Sequence, residues 1–322
     1  MFDLITIGDS TFDTFLILEE NENTCTLTKN KKKLCFNYAE KTPINNTAQS
    51  VGGNAANVAV GVKKFGYNTT IVTELGDDIN GHIIKHELKK SGVNIDLVKR
   101  IKNNETRYSI ILNYCGERTI LSYYAKRNYS LPTLPKTKWI YYTSLGQSFE
   151  KLQDKLEKYL QKNKEVKLAI NPGSYQINKA TEKIKAIIPH TDIIFVNKEE
   201  AIRLVGQIQP PKKLLSSLHS LGAKMVVITD NEKGSYAYDG KEKYFMPIYQ
   251  VNMIAKTGAG DAYTSAFLSA IISGCNITEA MVWGTANASS VIQKFGSQNG
   301  LLNTKQLKKL LKEKSDIQPK KI

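Results

Sequence analysis

Hydrophobic and polar positions alternate regularly in the second half of the chain. From Trp139 onward, short apolar stretches typical of buried strands are separated by amphipathic stretches of helical length. The predicted strands are Trp139–Thr143, Val166–Ile170, Ile193–Val196 and Lys224–Thr229, and the predicted helices are Glu150–Lys162, Ile177–Ile188 and Leu214–Leu221. Because parallel strands need a helical crossover between them, this alternation predicts a parallel sheet that is covered by helices on both faces.

The first half of the chain contains similar signals together with a second pattern that is richer in strands. Residues 2–8 form an apolar run typical of a buried strand, and Ala55–Phe65 predicts a buried helix that ends at Gly66. Near residues 12–40 and 95–125, strand-like pieces, including a hairpin, follow one another without intervening helices. We expect these two stretches to form a small sheet that projects from the core.

The composition limits the class of protein. With 322 residues, of which 41% are hydrophobic, the chain is long enough for one large domain with a smaller appendage. No apolar run reaches the roughly 18 to 20 residues of a membrane span, and the N-terminus lacks the basic flank of a secretory signal. The four cysteines are scattered without a CxxC pair, which is typical of free thiols. We therefore expect a cytoplasmic protein with no membrane partner.

The formal net charge of +15 raises the question of a nucleic-acid partner. The lysines, however, lie along nearly the whole chain, and no helix-turn-helix, zinc-finger or RNP signature accompanies them. We interpret the charge as a lysine-rich solvated surface and expect no nucleic-acid partner. A basic surface also attracts anionic ligands such as ATP, so the charge by itself does not identify a ligand.

The segment Thr257–Ala262 carries the strongest chemical signal and leads into an apolar helix. Its small residues Gly258, Ala259 and Gly260 let backbone N–H groups approach a ligand, and the start of the helix adds unpaired donors that suit a phosphate. Asp261 is placed to accept a proton from an attacking hydroxyl while the amides stabilise charge on a transferring phosphoryl group. A helix N-cap aspartate after a glycine turn is an equally good interpretation of these residues.

Two segments together carry a family resemblance. Thr257–Ala262 resembles the C-terminal signature of the ribokinase-like (PfkB) carbohydrate kinases, in which Gly-Ala-Gly-Asp opens a helix and the aspartate is the catalytic base. Gly52–Ala59, followed by Phe65-Gly66 and Gly76-Asp77-Asp78, is similar to the N-terminal signature of the same family. The resemblance runs from about residue 3 to residue 302, and the two signatures are specific in combination.

The N-terminal signature suggests a substrate site. Gly52 and Gly53 would let the backbone approach a polyol, and Asn57 offers both a donor and an acceptor to a hydroxyl. Relatives that act on phosphorylated sugars often have lysine after the two glycines. Asn54 occupies that position here, which favours an unphosphorylated substrate. A glycine turn that caps a buried helix accounts for the same residues without excluding this role.

The resemblance also implies an architecture. The expected fold is α/β, with a Rossmann-like, mostly parallel central sheet flanked by helices, and with a small β-sheet lid. The expected core comprises residues 1–11, 46–94 and 128–322, and the expected lid comprises residues 12–45 and 95–127. Closure of the lid would exclude water, so that the substrate hydroxyl receives the phosphoryl group. In many relatives the lid also forms a dimer contact, and we therefore expect a homodimer through the lid.

Two shorter matches concern Mg²⁺ and the nucleotide. Asn197 and Glu200 resemble the family's Asn-x-x-Glu, which organises Mg²⁺ near the phosphates through water, although a helix N-cap is an equally good interpretation. Thr229, Asn231 and Gly234 lie in a segment that resembles the family's Thr-x-Gly-x-x-Gly nucleotide loop. Asn231 replaces the first glycine, and asparagine tolerates positive φ better than most residues.

Two further matches complete the implied site. Gly8–Asp13 resembles the family's substrate strand, so Thr11 and Asp13 would bind the substrate, with the Asp13 carboxylate accepting hydrogen bonds from sugar hydroxyls. A turn aspartate is the alternative interpretation. Asn287, on a C-terminal helical segment, lies where relatives contact the adenine.

The sequence departs from the family's usual pattern just before the glycine segment. Relatives commonly have an aspartate at the position of Ala255, and that aspartate often helps to hold an activating K⁺; Lys256 follows it here. We hypothesise that the enzyme does not need K⁺, with the Lys256 ammonium replacing the charge of the ion. A Lys256 side chain that points to solvent is the alternative.

Taken with the resemblance, these residues predict an ATP-dependent and Mg²⁺-dependent kinase that acts on a small sugar, with Asp261 as the base. A nucleoside kinase is the first alternative, because cationic and aromatic lid residues such as Arg107 and Tyr124 suit a base as well as a sugar or a carboxylate. A sugar-binding or nucleotide-binding sensor without turnover is the second alternative.

Overall fold

The computed structural model describes residues 1–19, 25–28, 33–115 and 117–322. Its strands are β1 Phe2–Ile7, β2 Thr11–Leu18, β3 Cys25–Leu27, β4 Leu34–Phe36, β5 Ile44–Gly52, β6 Thr69–Gly76, β7 Val98–Ile101, β8 Tyr108–Tyr114, β9 Glu117–Tyr123, β10 Thr137–Thr143, β11 Lys167–Asn171, β12 Ile193–Asn197, β13 Met225–Thr229, β14 Ser235–Tyr238, β15 Lys243–Met246 and β16 Lys320–Lys321. Its helices are α1 Asn54–Lys64, α2 Ile79–Lys90, α3 Glu150–Lys162, α4 Ser174–Lys179, α5 Thr181–Ile187, α6 Lys198–Val205, α7 Pro211–Ser220, α8 Ala259–Ile272, α9 Ile277–Val291 and α10 Thr304–Glu313. Parts of the predicted lid, namely residues 20–24 and 29–32 and Gly116 in the predicted hairpin turn, lie outside the described residues.

The central sheet has ten strands in the described part of the chain, in the order β16-β15-β14-β13-β12-β11-β10-β1-β6-β7. Neighbouring strands from β7 to β13 run parallel, whereas β14, β15 and β16 extend one edge in antiparallel fashion. Helices cover both faces of this sheet. The predicted α/β fold with a mostly parallel central sheet is therefore confirmed.

Burial on both faces explains why the strands appear as continuous apolar runs in the sequence. Successive side chains of a strand point to opposite faces. In β10, Ile140 and Tyr142 pack in the hydrophobic core that also contains residues of α3 and α7, while Trp139 and Tyr141 pack in the core that contains residues of α8 and α9. Neither face of these strands is left for polar residues.

A separate small sheet is formed by β5, β2, β8 and β9, in that order. Strand β2 pairs antiparallel with β5 and parallel with β8, and β8 forms a hairpin with β9. Two strands belong to a different sheet from the one that the expected bounds of core and lid assign to them. Residues 46–52 of β5 lie in the small sheet because they pair with β2, and β7 lies in the central sheet because it pairs with β6.

Helix bounds differ from the sequence prediction in two places. The predicted helix Ile177–Ile188 is divided into α4 and α5, because Ala180 leaves the helical region with φ −146° and ψ 43°. Helix α7 begins at Pro211, earlier than predicted, since proline is favoured at the first helical position although Pro-Lys-Lys shows no apolar period. Among the described residues, no helix combines the length and apolar character that crossing a bilayer requires.

Candidate active site

A cleft of about 1180 Å³ lies between the carboxyl ends of the parallel strands and the small sheet. Its volume is sufficient for a nucleotide together with a small second ligand. The predicted site residues that line it are Thr11, Asp13, Gly53, Asn54, Asn57, Asn197, Glu200, Thr229, Asn231, Gly234, Gly258, Ala259, Gly260 and Asp261. The fold therefore brings together residues that are far apart in the sequence, whereas Gly52 and Asn287 do not line the cleft.

Asp261 lies in the first turn of α8, with its carboxylate facing the cleft. Burial raises its pKa to about 6; a hydrogen bond from Asn57 opposes this shift, and the nearby Asp13 charge adds to it. Asn57 Nδ2 donates to Asp261 Oδ2 over 2.7 Å. A carboxylate with this pKa is ionised at neutral pH and is basic enough to accept a proton during catalysis.

Asn57 is held on both sides by protein groups. While its Nδ2 donates to Asp261, its Oδ1 accepts from Gln298 Nε2 over 3.0 Å. The side chain therefore fixes the orientation of the Asp261 carboxylate, and each of its two polar groups already has one protein partner. Contact of Asn57 with a substrate hydroxyl stays a prediction. Gln298 had no signal in the sequence, because it lies 241 residues from Asn57 and reaches it only through the fold.

The backbone before Asp261 forms a tight turn with unpaired amides. Gly258 has φ 83°, a backbone conformation that favours glycine. A Cβ at this position would also come within 2.4 Å of Ser297 Cβ, so the space allows no side chain. The first hydrogen bond of α8 runs from Ala262 N to Gly258 O over 2.9 Å. The amides of Ala259, Gly260 and Asp261 therefore have no partner within the helix and are donors at its positive end.

Asp13 lies on β2 at the end of the cleft where the resemblance implies an acceptor. Thr11 Oγ1 donates to Asp13 Oδ1 over 2.9 Å, and burial raises the pKa of the Asp13 carboxyl. Gly52 supports this residue from behind, because a Cβ on Gly52 would lie only 2.0 Å from Asp13 Oδ2. At Gly53, where φ is 90°, a Cβ would approach Asp9 O to 2.5 Å. The two glycines thus allow β5 and α1 to pass directly beneath the carboxylate.

Asp9 is a second carboxylate at this end that sequence reasoning did not select. Its Oδ2 lies 2.6 Å from Arg107 Nη1, and Tyr129 Oη donates to its Oδ1 over 2.8 Å. The Arg107 guanidinium lies 3.9 Å from the centre of the Tyr124 ring. The charge of Arg107 is therefore balanced by Asp9, although the residue lines the cleft.

Asn197 and Glu200 cap α6 and face the cleft at the same time. Asn197 Oδ1 accepts from Glu200 N over 2.8 Å, and Glu200 Oε2 accepts from Asn197 N over 2.9 Å. Burial raises the pKa of Glu200 to about 7. The cap uses one Glu200 oxygen and leaves Oε1, a hard oxygen that fits a water in the hydration shell of Mg²⁺. Both sequence interpretations of this motif are thus compatible with the geometry.

The segment after β13 forms a tight loop in the wall of the cleft. Asn231 has φ 48°, so the asparagine adopts the left-handed conformation that the replaced glycine would favour. Gly234 has φ 96°, and a Cβ there would lie 2.2 Å from Met246 O. The side chains of Lys198 and Asp230 form an ion pair of 3.1 Å beside this loop.

Asn287 lies away from the expected adenine position. Its side chain is fully buried; Nδ2 donates to Ala262 O over 2.8 Å, and Oδ1 accepts from Leu302 N over 2.9 Å. The first bond joins α9 to α8 and the second joins α9 to the segment before α10, and the buried side chain presents no group to the cleft. The cleft wall in this region is instead apolar, a feature that the motif comparison missed. The residues concerned are Ile248, Tyr249, Met253, Ala288 and Ile292.

Lys256 joins the small sheet to the core. Its ammonium lies 2.8 Å from Glu117 Oε1 on β9 and 3.3 Å from Glu232 Oε1 on the loop after β13. Beside it, Arg118 Nη1 of β9 donates to Thr257 Oγ1 over 3.2 Å. Because the ammonium is paired with two carboxylates, it does not point freely to solvent. The hypothesis that it replaces the charge of K⁺ stays a prediction.

Comparison with known proteins gives consistent matches. The sequence matches the pfkB family carbohydrate kinase model over residues 22–305. It is 30% identical over 294 residues to probable fructokinase-5 of Arabidopsis thaliana, covering 82% of this chain and 89% of that protein. It is 28% identical over 274 residues to a nucleoside kinase of Methanocaldococcus jannaschii, covering 81% and 88%. The structure of Arabidopsis thaliana ribokinase complexed with ribose and ATP has a TM-score of 0.77 at 21% identity, covering 97% and 99%.

Proposed function

Because the chain belongs to the pfkB family of carbohydrate kinases, which are phosphotransferases with a hydroxyl acceptor, we propose that it transfers the γ-phosphoryl group of ATP to a hydroxyl of a small sugar. The predicted family resemblance is thereby confirmed. The observation that supports the proposed mechanism best is the position of Asp261, which is held by Asn57 directly beside the unpaired amides of α8.

Each residue has a definite part in this mechanism. Asp13 accepts hydrogen bonds from the sugar and orients its reactive hydroxyl. Asp261 accepts the proton of that hydroxyl as the oxygen forms a bond to the γ-phosphorus and the bond to the ADP oxygen breaks. The amides of Ala259 and Gly260 donate to the oxygens of the transferring group, where negative charge must be stabilised. Asp261 then loses its proton to solvent.

A divalent cation completes the nucleotide end. Asn197 and Glu200 would hold Mg²⁺ through water, and the bound ion would neutralise charge on the phosphates of ATP. The apolar wall formed by Met253, Ile248 and Ile292 suits the faces of a purine ring. This end of the cleft is thus polar where phosphates would lie and apolar where a base would lie.

The acceptor end supports an unphosphorylated substrate. Asn54 stands where a lysine could pair with a substrate phosphate. Its Nδ2 instead donates to Asn171 Oδ1 over 3.2 Å. Arg107 lies near Asp13, and its charge is already balanced by Asp9. Arg118, which also lines the cleft, lies at Thr257 on the side of the transferring group. A neutral sugar therefore fits the charge distribution better than a sugar phosphate.

The small sheet serves as the lid in this proposal. Ile111 and Ile120 from β8 and β9 line the cleft opposite the core and would exclude water from the reacting groups. Leu121 and Tyr123 on the same hairpin remain exposed in the single chain. We propose that this apolar surface of the lid forms the contact of a homodimer.

A substrate panel tests the function. Purified protein with Mg²⁺ and ATP is mixed with sugars, sugar acids, sugar phosphates and nucleosides, and ADP release is measured beside an Asp261→Asn variant. Release that depends on a neutral sugar and on Asp261 supports the proposal. Turnover of nucleosides alone would favour the nucleoside kinase, which the likeness to the Methanocaldococcus jannaschii enzyme keeps as the second candidate. Nucleotide binding without turnover of any acceptor would favour a sensor.

A further inference from the structure

Strand β9 makes two polar contacts that the mechanism above does not use. All seven of its residues are exposed, so packing contributes little to its position. Its first two residues nevertheless reach across the cleft, Glu117 to Lys256 and Arg118 to Thr257. Thr257 directly precedes the glycine turn that carries the proposed anion-binding amides. The start of β9 is therefore placed against the part of the core where phosphoryl transfer would occur.

Arg118 differs from most other cations of the cleft in having no carboxylate partner. In the part of the chain that the structure describes, Lys198 is paired with Asp230, Lys256 with Glu117 and Glu232, and Arg107 with Asp9. Arg118 and the exposed Lys233 line the cleft without an ion pair. The bond of Arg118 goes to a neutral hydroxyl, which leaves the guanidinium charge available to an anion.

The surroundings of Arg118 indicate which anion this would be. The side chain is partly desolvated, which lowers its pKa, while the negative charges of Glu117 and Asp261 act in the opposite direction. The guanidinium thus lies within electrostatic reach of the proposed base. A group that sits between Arg118, Asp261 and the amides of Ala259 and Gly260 is the phosphoryl group in transit, which carries its negative charge on equatorial oxygens.

We propose that Arg118 is a catalytic residue supplied by the lid, whose guanidinium contacts the transferring γ-phosphoryl group. On ATP binding, the guanidinium exchanges the Thr257 hydroxyl for phosphoryl oxygens, to which its planar donors are matched. It moves no proton, because Asp261 takes the proton of the acceptor hydroxyl. This inference rests on the proposed kinase function and adds a residue to it.

The ion pairs of Lys256 give this residue a positioning role. Glu117 immediately precedes Arg118, so the bond from Lys256 to Glu117 fixes the strand at the point where Arg118 leaves it. Both carboxylates bound by Lys256 are largely exposed, and exposed ion pairs are weak and reversible. The start of β9 is therefore held closed in a way that still allows the lid to open for substrate exchange.

The test compares Arg118→Met and Arg118→Lys with the unchanged chain, using the acceptor found by the panel. We expect Arg118→Met to lower kcat at least about 100-fold, with KM for the acceptor changed less than about threefold. Arg118→Lys should recover only part of kcat, and added guanidinium should partly restore Arg118→Met. Thr119→Ala is the matched control, since Thr119 lies on the same exposed strand and does not line the cleft.

Each other outcome has a definite meaning. If Arg118→Met keeps kcat and raises only the KM of the acceptor, Arg118 merely anchors the lid and the inference is overturned. If the unchanged protein binds nucleotide but turns over no acceptor, its affinity for ADP with aluminium fluoride is compared with its affinity for ADP alone. We expect a preference for the fluoride complex that Arg118→Met abolishes, and an unaltered preference would overturn the inference. A protein that neither binds nucleotide nor turns over any acceptor contradicts the proposed function itself, and the role of Arg118 with it.

Discussion

In the central sheet every residue of β6 is buried, whereas in the small sheet every residue of β9 is exposed. The proposed base Asp261 belongs to the buried region, because it lies in the first turn of a helix that is buried from Ala262 to Ala270. Arg118 belongs to the exposed region. The comparison indicates that the core fixes the proposed base and the unpaired amides of α8 by packing, while a few weak contacts hold the groups of the small sheet in place.

The largest effect should come from the buried side of this comparison. We expect Asp261→Asn to lower kcat on the order of 10³-fold, since the amide cannot accept the hydroxyl proton, while Tm changes little because the side chain keeps its shape. Steady-state kinetics and thermal unfolding measure the two quantities. A variant that retains more than a tenth of the activity would remove Asp261 from the role of base.

The difference in packing itself can be measured by two alanine substitutions. Ile194→Ala removes a fully buried side chain of β12 and should lower the free energy of unfolding by about 2–5 kcal/mol. Leu121→Ala truncates a side chain of β9 that is half-exposed in the single chain, and it should change the free energy of unfolding of the monomer by less than about 0.5 kcal/mol. Denaturant titration of both variants measures the two changes in the free energy of unfolding. Equal losses would show that the lid is packed as firmly as the core.

A substitution at Gly52, where β5 of the small sheet leads into α1, tests the position of Asp13. In Gly52→Ala, the new Cβ would meet Asp13 Oδ2 at 2.0 Å and displace the carboxylate that we propose orients the acceptor. We expect KM for the acceptor to rise by about tenfold or more, equivalent to about 1.4 kcal/mol of binding. Thr47→Ala, on an exposed position of the same strand, is the control. An unchanged KM would argue against acceptor binding by Asp13.

The pH dependence should report how the core controls the base. Since the pKa of Asp261 is raised to about 6 and the carboxylate form is the active one, kcat/KM should fall as pH decreases through about 6. Asn57→Ala removes a hydrogen bond that lowers this pKa, so the acid limb should move upward by about one unit. Gln298→Ala, which removes only the support of Asn57, should move it less. A limb that does not move in Asn57→Ala would assign the titration to another group.

The smallest effect concerns K⁺. Ala255 supplies no carboxylate for an ion, and the ammonium of Lys256 occupies its neighbourhood while paired with Glu117 and Glu232. We expect added K⁺ to change the activity of a K⁺-free preparation by less than about twofold, the change that a general effect of ionic strength on exposed pairs would cause. A many-fold activation by K⁺, absent with a larger organic cation, would contradict this hypothesis.

The sequence specified the chemistry of the site more completely than its contacts. Three features could be predicted from local sequence: the motif around Asp261, the two glycines before Asn54 and the alternation after Trp139. Turn geometry, helix starts and strand burial are set largely by neighbouring residues. The contacts that only the fold reveals join distant residues. Asn57 was expected to bind a hydroxyl but holds Asp261, and Asn287 was expected near adenine but is bonded inside the core.

Local sequence patterns were sufficient to predict the parallel sheet, the glycine turn before α8 and the aspartate in the first turn of that helix. Three contacts became visible only in the folded chain: Gln298 supports Asn57, Asp9 balances Arg107, and the start of β9 reaches Thr257. The two kinds of feature differ because they depend on interactions over different distances along the sequence. Backbone conformation and burial period depend on residues that are close in sequence, whereas the pairing of charges and hydrogen bonds depends on which surfaces the packed sheets bring face to face.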